Sequence, residues 1–442
     1  MSKTRTGSNR IGIRNWIVIW IVGLAGQLCW NVENQWFNTF VYAKIAPDPV
    51  IINWMVAVSA AVTTLSTFVS GALSDRIGRR RPFIAIGYVL WGAFTIAFGA
   101  TEFLPRNNFT ALAVAVVAAD AVMSFFGSFG NDAGFNPWTT DITNEKNRGN
   151  LGAVIAVQPV IATILGTVVS GFIIGALDYF GFFIIMGGLM AAVGVFSFFA
   201  VKDSPTLRPS KDPKGFGHQF LSSFNFRLVF KDRLLLWVFL IFSAFFISFN
   251  VYFSYILNYF IYTLGYDEAN AGMIMGIGLV AAIPLTFLAG PQLNKGRFVP
   301  VLCAAVALNI VGLLVLLGSG LAAVVIGIIF VGGGYMCVYQ TLMIWVKNLY
   351  PEDKRGAFEG IRLLFYVLIP MALGTTIASP IIRSLGVEVV NEFGVKGYAP
   401  TSPLFAIAAA IAFLTYIPIF FAYREQKRRT TKQQIASPKS DA

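Results

Sequence analysis

Twelve apolar runs alternate with short polar breaks along the chain, each run close to the ~20 residues that a helix needs to cross hydrocarbon. They begin near Trp16, Ile51, Phe83, Thr110, Leu151, Gly181, Leu234, Ala269, Val299, Leu321, Ala357 and Pro403. The densest break, Gly71-Ala72-Leu73-Ser74-Asp75-Arg76-Ile77-Gly78-Arg79-Arg80-Arg81-Pro82, packs one acid and four arginines between two apolar runs. Such charge cannot lie in hydrocarbon, and basic loops stay in the cytoplasm. With the termini on that same side, 29 of the 33 Lys and Arg are cytoplasmic, leaving Lys44, Arg106, Arg383 and Lys396 outside. The pattern predicts an all-α polytopic membrane protein of twelve transmembrane helices, N-in and C-in.

The longest polar interruption, 201–233, contains Pro205, Pro209 and Pro213 and reads as a cytoplasmic linker. It separates six-helix bundles over 1–200 and 234–423, and a basic tail over 424–442 follows. The halves echo each other: Gly71 to Arg79 returns in degenerate form as Gly290 to Arg297. Asp141 to Arg148-Gly149, with Gly166-Thr167 beyond, returns as Asn348 to Arg355-Gly356, with Gly374-Thr375 beyond. Parallel six-helix repeats are a transporter layout that binds cargo between the halves near the midplane.

Composition agrees. The 442 residues are 56% hydrophobic and 12% charged, half the ~25% of soluble domains, so lipid is the main solvent. The net charge of +12 would suit nucleic acid, but the basic residues lie in loops and tails, as positive-inside topology requires, and no nucleic-acid partner is expected. Cys29, Cys303 and Cys337 fall in apolar runs, which predicts neither a disulfide framework nor a zinc site. The first run outlasts a signal peptide and reads as a membrane helix. The tail from Arg424 to Lys439 is expected to lie against anionic lipid. An enzyme is not expected: there is no H-E-x-x-H and no P-loop, and the single histidine, His218, lies in the linker. Gly276-x-Gly278-x-x-Ala281 lies inside an apolar run with no strand before it, so it carries no dinucleotide signal.

Acids inside the membrane are costly and mark function by default. They are Glu33 in the first span and Asp120 and Asp132 in the fourth, with no Lys or Arg in the middle of the first six spans. Asp120 is expected roughly 15 Å below the outer surface. Helical spacing sets Asp120, Ser124, Gly127 and Asn131 on one face; Gln27, Asn31, Asn34 and Asn38 form a stripe on the first span, beside Trp30 and Glu33. Ser243, Asn250, Ser254 and Asn258 form a third on the seventh span. Such stripes also arise from interhelical hydrogen bonds of ~1 kcal/mol each. Three of them, two with acids alongside, predict a water-filled cavity. A carboxyl at low dielectric without a cationic partner favours its protonated form, so Asp120 with Glu33 is expected to couple proton movement to cargo movement. Asp132 is a third, weaker coupling candidate, because it is set about 100° off the Asp120 stripe, where solvation alone would also account for it. A cargo suited to amides and aromatic rings is a sugar or glycoside, with Trp30, Gln158, Tyr339 and Gln340 as further contacts. The chain is expected to act as a monomer in the plasma membrane (the cytoplasmic membrane of a prokaryote), without cofactor or metal. A drug or metabolite exporter and a lysolipid carrier are the competing readings.

The G-x-L-S-D-R-x-G-R-R-R string resembles the loop signature between the second and third helices of the major facilitator superfamily. Within it, Ser74 to Ile84, Leu28-Cys29-Trp30-Asn31-Val32-Glu33, and Asp120 followed by Asn131-Asp132 resemble the glycoside–pentoside–hexuronide cation symporters, in the branch of plant sucrose transporters and their animal relatives. The resemblance implies proton- or sodium-driven sugar uptake by alternating access. Asp120 then matches the helix-4 acid of cation coupling, and Glu33 the helix-1 acid of the animal relatives. The melibiose-permease pattern adds helix-2 acids, whereas Ile51 to Ser70 has none, which favours H⁺ over Na⁺. Gln27 stands where the animal relatives often carry an acid. The charged loop is expected to work as a cytoplasmic latch. Gly71 would allow close helix approach, and Asp75 would pair with Arg79 and face the helix start near Gly356. Arg148 would be a second partner, with Arg76, Gly78 and Arg355 as the other latch residues. Asp75→Ala is expected to shift the protein toward its inward-open form.

Overall fold

The computed structural model describes residues 11–143, 147–205, 207–209, 229–230, 232–350 and 361–436. Most of the linker expected over 201–233, together with Arg355 and Gly356, lies outside them, and Arg148 is described through its backbone alone. Among the described residues, eleven helices are long and apolar enough to cross a membrane. One of them, Asn150–Ala200, is far longer than a bilayer needs and breaks at Asp178, so it crosses twice and the described residues make twelve crossings. They are α1 (Ile13–Ile45), α2 (Pro49–Ile77), α3 (Arg81–Phe103), α4 (Phe109–Asp141), α5 (148–177), α6 (179–200), α7 (Arg233–Thr263), α8 (Glu268–Asn294), α9 (Phe298–Val315), α10 (Leu321–Leu349), α11 (Ile361–Leu385) and α12 (Pro403–Arg429). Helix continues past α12 to Ala436, and Arg429 there forms an ion pair with Asp232, so part of the expected tail is an ordered extension of the last span.

Polar side chains close the helix ends where the chain leaves hydrocarbon. Asp48, Asn108 and Asp232 accept hydrogen bonds from Val50 N–H, Ala111 N–H and Leu235 N–H at the starts of α2, α4 and α7. The helices bearing the polar stripes share a further feature. In each of α1, α4 and α7 a π-helical turn lies in its last stretch (Val41–Ile45, Asn131–Phe135, Tyr259–Thr263), and α11 carries another at Leu364–Leu368. Such turns cluster at functional sites because they re-aim side chains that a regular helix would point elsewhere.

The chain divides into two compact units. One comprises Met1–Phe220 with Gly265–Gly276 and Val389–Gly397; the other comprises Leu221–Leu264, Ile277–Glu388 and Tyr398–Ala442. In the first, α3 packs on α4 and α6, α1 on α5, and α2 on α4. Lipid tails are as apolar as these side chains, so close packing rather than water exclusion holds the bundle together. At the α3–α6 crossing, a Cβ on Gly92 would lie 2.2 Å from the Gly187 carbonyl oxygen, and one on Gly187 would lie 2.4 Å from that of Gly92. Backbone cannot retreat from either, so Gly92→Val is expected to abolish the folded monodisperse protein on size exclusion, whereas Gly188→Ala, at a site open within 4 Å, is expected to leave it intact. A ring cluster of Phe37, Phe40, Phe98 and Phe183 fills the external end of this unit, with Phe37 and Phe98 stacked at 4.2 Å.

Two of the four external cations are built into this unit. Lys44, 6% exposed, pairs with Asp178 at 2.5 Å and with Glu392 at 2.6 Å. Asp178 sits at φ 60°, ψ 175°, a region nearly reserved for glycine, and it accepts the Tyr179 N–H at 2.7 Å. Arg106 donates to the Lys44 carbonyl and stacks 3.5 Å over the Phe393 ring. Glu392 and Phe393 lie on the turn of a hairpin formed by β1 (Val387–Val390) and β2 (Lys396–Ala399).

In the second unit, α9 packs on α10, and α7 on α11 and α12. Its interior is ring-rich: Phe246, Phe249, Tyr335, Tyr339 and Tyr366 form one continuous cluster, with Phe249 stacked on Tyr335 at 4.6 Å.

Candidate functional site

The intramembrane acids of α1 and α4 meet across α2. Glu33 is 8% exposed and Asp120 only 1%. The Ser59 hydroxyl of α2 and the Ser124 hydroxyl of α4 both donate to Glu33 Oε1, at 2.8 and 2.7 Å, and lie 2.6 Å from each other. Among the described residues, Glu33 Oε2 accepts no hydrogen bond, and neither do the two carboxyl oxygens of Asp120. Ser59 is close enough to turn toward Asp120, although its proton is committed to Glu33. Two carboxyls thus share one buried pocket of hydroxyls. A buried polar group without a partner is costly, and a protonated carboxyl lowers that cost by removing its charge. The arrangement suits groups that gain and lose a proton.

Asp132, the weaker coupling candidate, is held by hydrogen bonds from the protein. It lies in the π-helical turn at the cytoplasmic end of α4, where Ser128, Asn131 and Asn136 donate to it at 3.0, 3.0 and 3.3 Å. The four-residue step from Ser128 is the regular helical one, and Ser128 also reaches the Thr63 carbonyl of α2, so the Asp132 carboxylate lies beside the α2–α4 contact. Ser59, Thr67 and Ser128 were not among the residues picked from the sequence. The available signal was a four-residue spacing, Ser59, Thr63 and Thr67 on α2 and Ser124 and Ser128 on α4, set among other hydroxyls of α2 such as Thr64, Ser66 and Ser70.

Several expected sugar contacts are occupied by the fold. Gln158 donates to the Ile19 carbonyl at 2.7 Å and packs against Gly23, tying α5 to α1. Asn31 accepts from Thr167 at 3.4 Å, and Asn131 accepts from Tyr88 at 3.1 Å. Asn34 and Asn250 donate to the carbonyls one turn earlier, Trp30 and Phe246, at 2.7 and 2.8 Å. Ser254 and Asn258 are buried around the break in α7. Gln27 and Trp30 are half-buried, with Trp30 tilted against Trp91 at 4.8 Å and alongside Gly127. In the other unit, Tyr339 joins the ring cluster and the Gln340 side-chain oxygen has no hydrogen-bond partner among the described residues.

The charged loop differs from its expected wiring. Asp75 pairs with Arg80 at 2.5 Å rather than with Arg79. The reason is Gly78, whose left-handed φ of 69° ends α2 and breaks the four-residue register, leaving Arg79 exposed and turning Arg80 back into the protein. Arg80, 5% exposed, also donates to Asp141 at 3.0 Å and to the Ser74 hydroxyl. Burial works against its charge, but Asp75 and Asp141 outweigh that and hold the guanidinium above its ordinary pKa. Asp203 accepts the Arg80 and Arg81 N–H groups at 2.7 and 3.0 Å, placing a carboxylate on the N-terminus of α3. A Cβ on Gly71 would meet nothing within 4 Å, so Gly71 does not mediate close approach. The tight contact there is made by Ser74, which donates to the Ala133 carbonyl. Arg76 is half-buried.

A model of the Major Facilitator Superfamily matches residues 16–375. No curated protein matches the chain in sequence. Among solved structures, a mutant of the nucleoside transporter NupG superposes with a TM-score of 0.72 at 12% identity, over 92% of this chain and 99% of that one. A bacterial homologue of the human lysosomal transporter Spinster, inward-facing and unoccupied, superposes with a TM-score of 0.67 at 14% identity, over 95% of this chain and 98% of that one. A bacterial metal transporter gives 0.59 at 15% identity, over 93% and 99%. At these identities the likeness is one of fold. With a sequence match over most of its length, twelve crossings and the charged loop between α2 and α3, the chain belongs to the major facilitator superfamily.

Proposed function

We propose that this transporter is a proton-coupled symporter of a sugar or glycoside, working by alternating access in the plasma membrane as a monomer. Within the superfamily it would join the glycoside–pentoside–hexuronide branch. The observation that carries the reading is the Glu33–Asp120 pair, buried among Ser59 and Ser124 with three of its four carboxyl oxygens unpartnered. Two acids this close and this dry do not both stay ionised, so protons are the natural coupling ion. A Na⁺ ion would call for several committed oxygen ligands, and α2 brings hydroxyls here rather than further carboxylates. Gln27 and Trp30 in one unit, and Tyr339 and Gln340 in the other, retain the amide and ring surfaces that hold sugar hydroxyls and C–H faces.

A nucleoside is the second reading. The stacked Phe249–Tyr335 surface and the Tyr335–Tyr339 pair offer flat rings to a base, while the amides would serve the ribose. Uptake of labelled mono- and disaccharides and nucleosides into proteoliposomes under imposed pH or Na⁺ gradients separates these readings. Saturable sugar flux driven by an inward proton gradient is expected. Nucleoside flux alone would replace the sugar, and Na⁺-driven flux indifferent to pH would remove proton coupling.

A further inference from the structure

Helices α2 and α4 face each other with hydroxyls one turn apart. On α4, Asp120 is followed at four-residue steps by Ser124, Ser128 and Asp132; on α2, Ser59, Thr63 and Thr67 keep the same step. The structure joins them into two rungs. In the upper rung, Ser59 and Ser124 lie 2.6 Å apart and both reach Glu33. In the lower rung, Thr67 and Ser128 lie 2.6 Å apart, and Ser128 reaches Asp132 Oδ2 at 3.0 Å and the Thr63 carbonyl at 3.0 Å. Along α4 the rungs are one helical turn, about 6 Å, apart, a gap that one water would span with two hydrogen bonds, whereas along α2 Ser59 and Thr67 are two turns, about 12 Å, apart. Ser128 has a single hydroxyl proton and three acceptors in reach, Thr67 Oγ1, the Thr63 carbonyl and Asp132 Oδ2, so a small rotation switches it among hydroxyl, backbone and carboxylate. At the upper end wait the unpartnered oxygens of Asp120 and Glu33.

We propose that this α2–α4 hydroxyl seam carries protons between the Glu33–Asp120 pair and Asp132, which exchanges them with the cytoplasm. The inference rests on reading that pair as the proton carrier. A proton leaving the Glu33 carboxyl bonds to a hydroxyl oxygen as that hydroxyl passes its own proton on. Each Ser, Thr and bridging water ends as it began; Glu33 loses one proton and the Asp132 carboxylate gains one. Asp132 lies about 18 Å from Asp120 along the helix axis, on the cytoplasmic side. The titratable groups facing the upper end are Asp120 and, on α1, Cys29; Tyr88 of α3 faces Asp132, and α2 contributes hydroxyls alone.

The test reads protonation of the pair directly. Infrared difference spectra of the full-length protein in proteoliposomes follow the carboxyl band that Asp120→Asn removes, after a pH jump on the cytoplasmic side. Asp132→Asn and Thr67→Val are each expected to slow its relaxation about tenfold or more with the titration midpoint unchanged, and Thr67→Ser to restore the wild-type rate. A role in packing alone would move the midpoint or the melting temperature and leave the rate. Wild-type relaxation in both Asp132→Asn and Thr67→Val would overturn the seam while leaving the carboxyl pair in place. A wild-type protein with no titrating carboxyl band would overturn the pair and the seam together.

Discussion

Asp120→Asn is expected to bring proton-driven accumulation down to an internal-to-external ratio of about one, while facilitated exchange continues. The variant is nearly isosteric, so packing around the 1%-exposed side chain is retained. What it loses is the titrating group. The sign follows from the proposed symport: cargo would enter with a proton, so wild-type uptake is expected to fall as pH rises through titration of the pair and the carrier is left deprotonated. With Asn fixed in the uncharged form, that dependence should flatten. Glu33→Gln is the companion variant, because its amide oxygen still accepts from Ser59 and Ser124 and the pocket stays intact. Accumulation assays at several external pH values check both; wild-type accumulation by Asp120→Asn would remove the residue from the mechanism.

Arg80→Ala is expected to destabilise the protein by about 3 kcal/mol, the lower end for a broken buried pair because Asp75 and Asp141 remain partly open to water. The guanidinium joins the end of α2, through Ser74 and Asp75, to the end of α4, through Asp141. Its removal leaves two carboxylates without their cation and unties those ends. A lower melting temperature in detergent and faster labelling of cysteines engineered near the cytoplasmic end of α2 are the readouts. Arg80→Lys should recover part of the loss, since the ammonium keeps the charge but not the fork that serves three partners. Arg79→Ala, at an exposed site, should change neither readout by much. Equal effects at positions 79 and 80 would reject this wiring.

Much of the fold was legible in the chain. The expected start of α5 near Leu151 and of α6 near Gly181 bracket the break at Asp178, where a 53-residue helix would otherwise be read as one. The acids Glu33 and Asp120 were legible for the same reason: a carboxyl in an apolar run stands out against its neighbours. The hydroxyls of α2 did not, because Ser and Thr satisfy themselves on their own helix as readily as they bond across to another, and Thr64 does so with the Ala60 carbonyl. The amides misled in the opposite direction. Gln158 has the composition of a sugar contact, yet its position against Gly23 commits it to the Ile19 carbonyl.

The sequence by itself determined the number of crossings, their sidedness and the family. Hydrophobic length and cation asymmetry act locally, and each is set by a few tens of contiguous residues. Only the tertiary structure decided which polar groups meet. It chose Arg80 over Arg79 through the left-handed turn at Gly78, and set Ser128 of α4 against Thr67 and the Thr63 carbonyl of α2. It also placed α2 hydroxyls between carboxyls of α1 and α4. Those choices depend on helix ends, on the register between helices and on which side chain a neighbour has already taken, none of which is a property of any single stretch of chain.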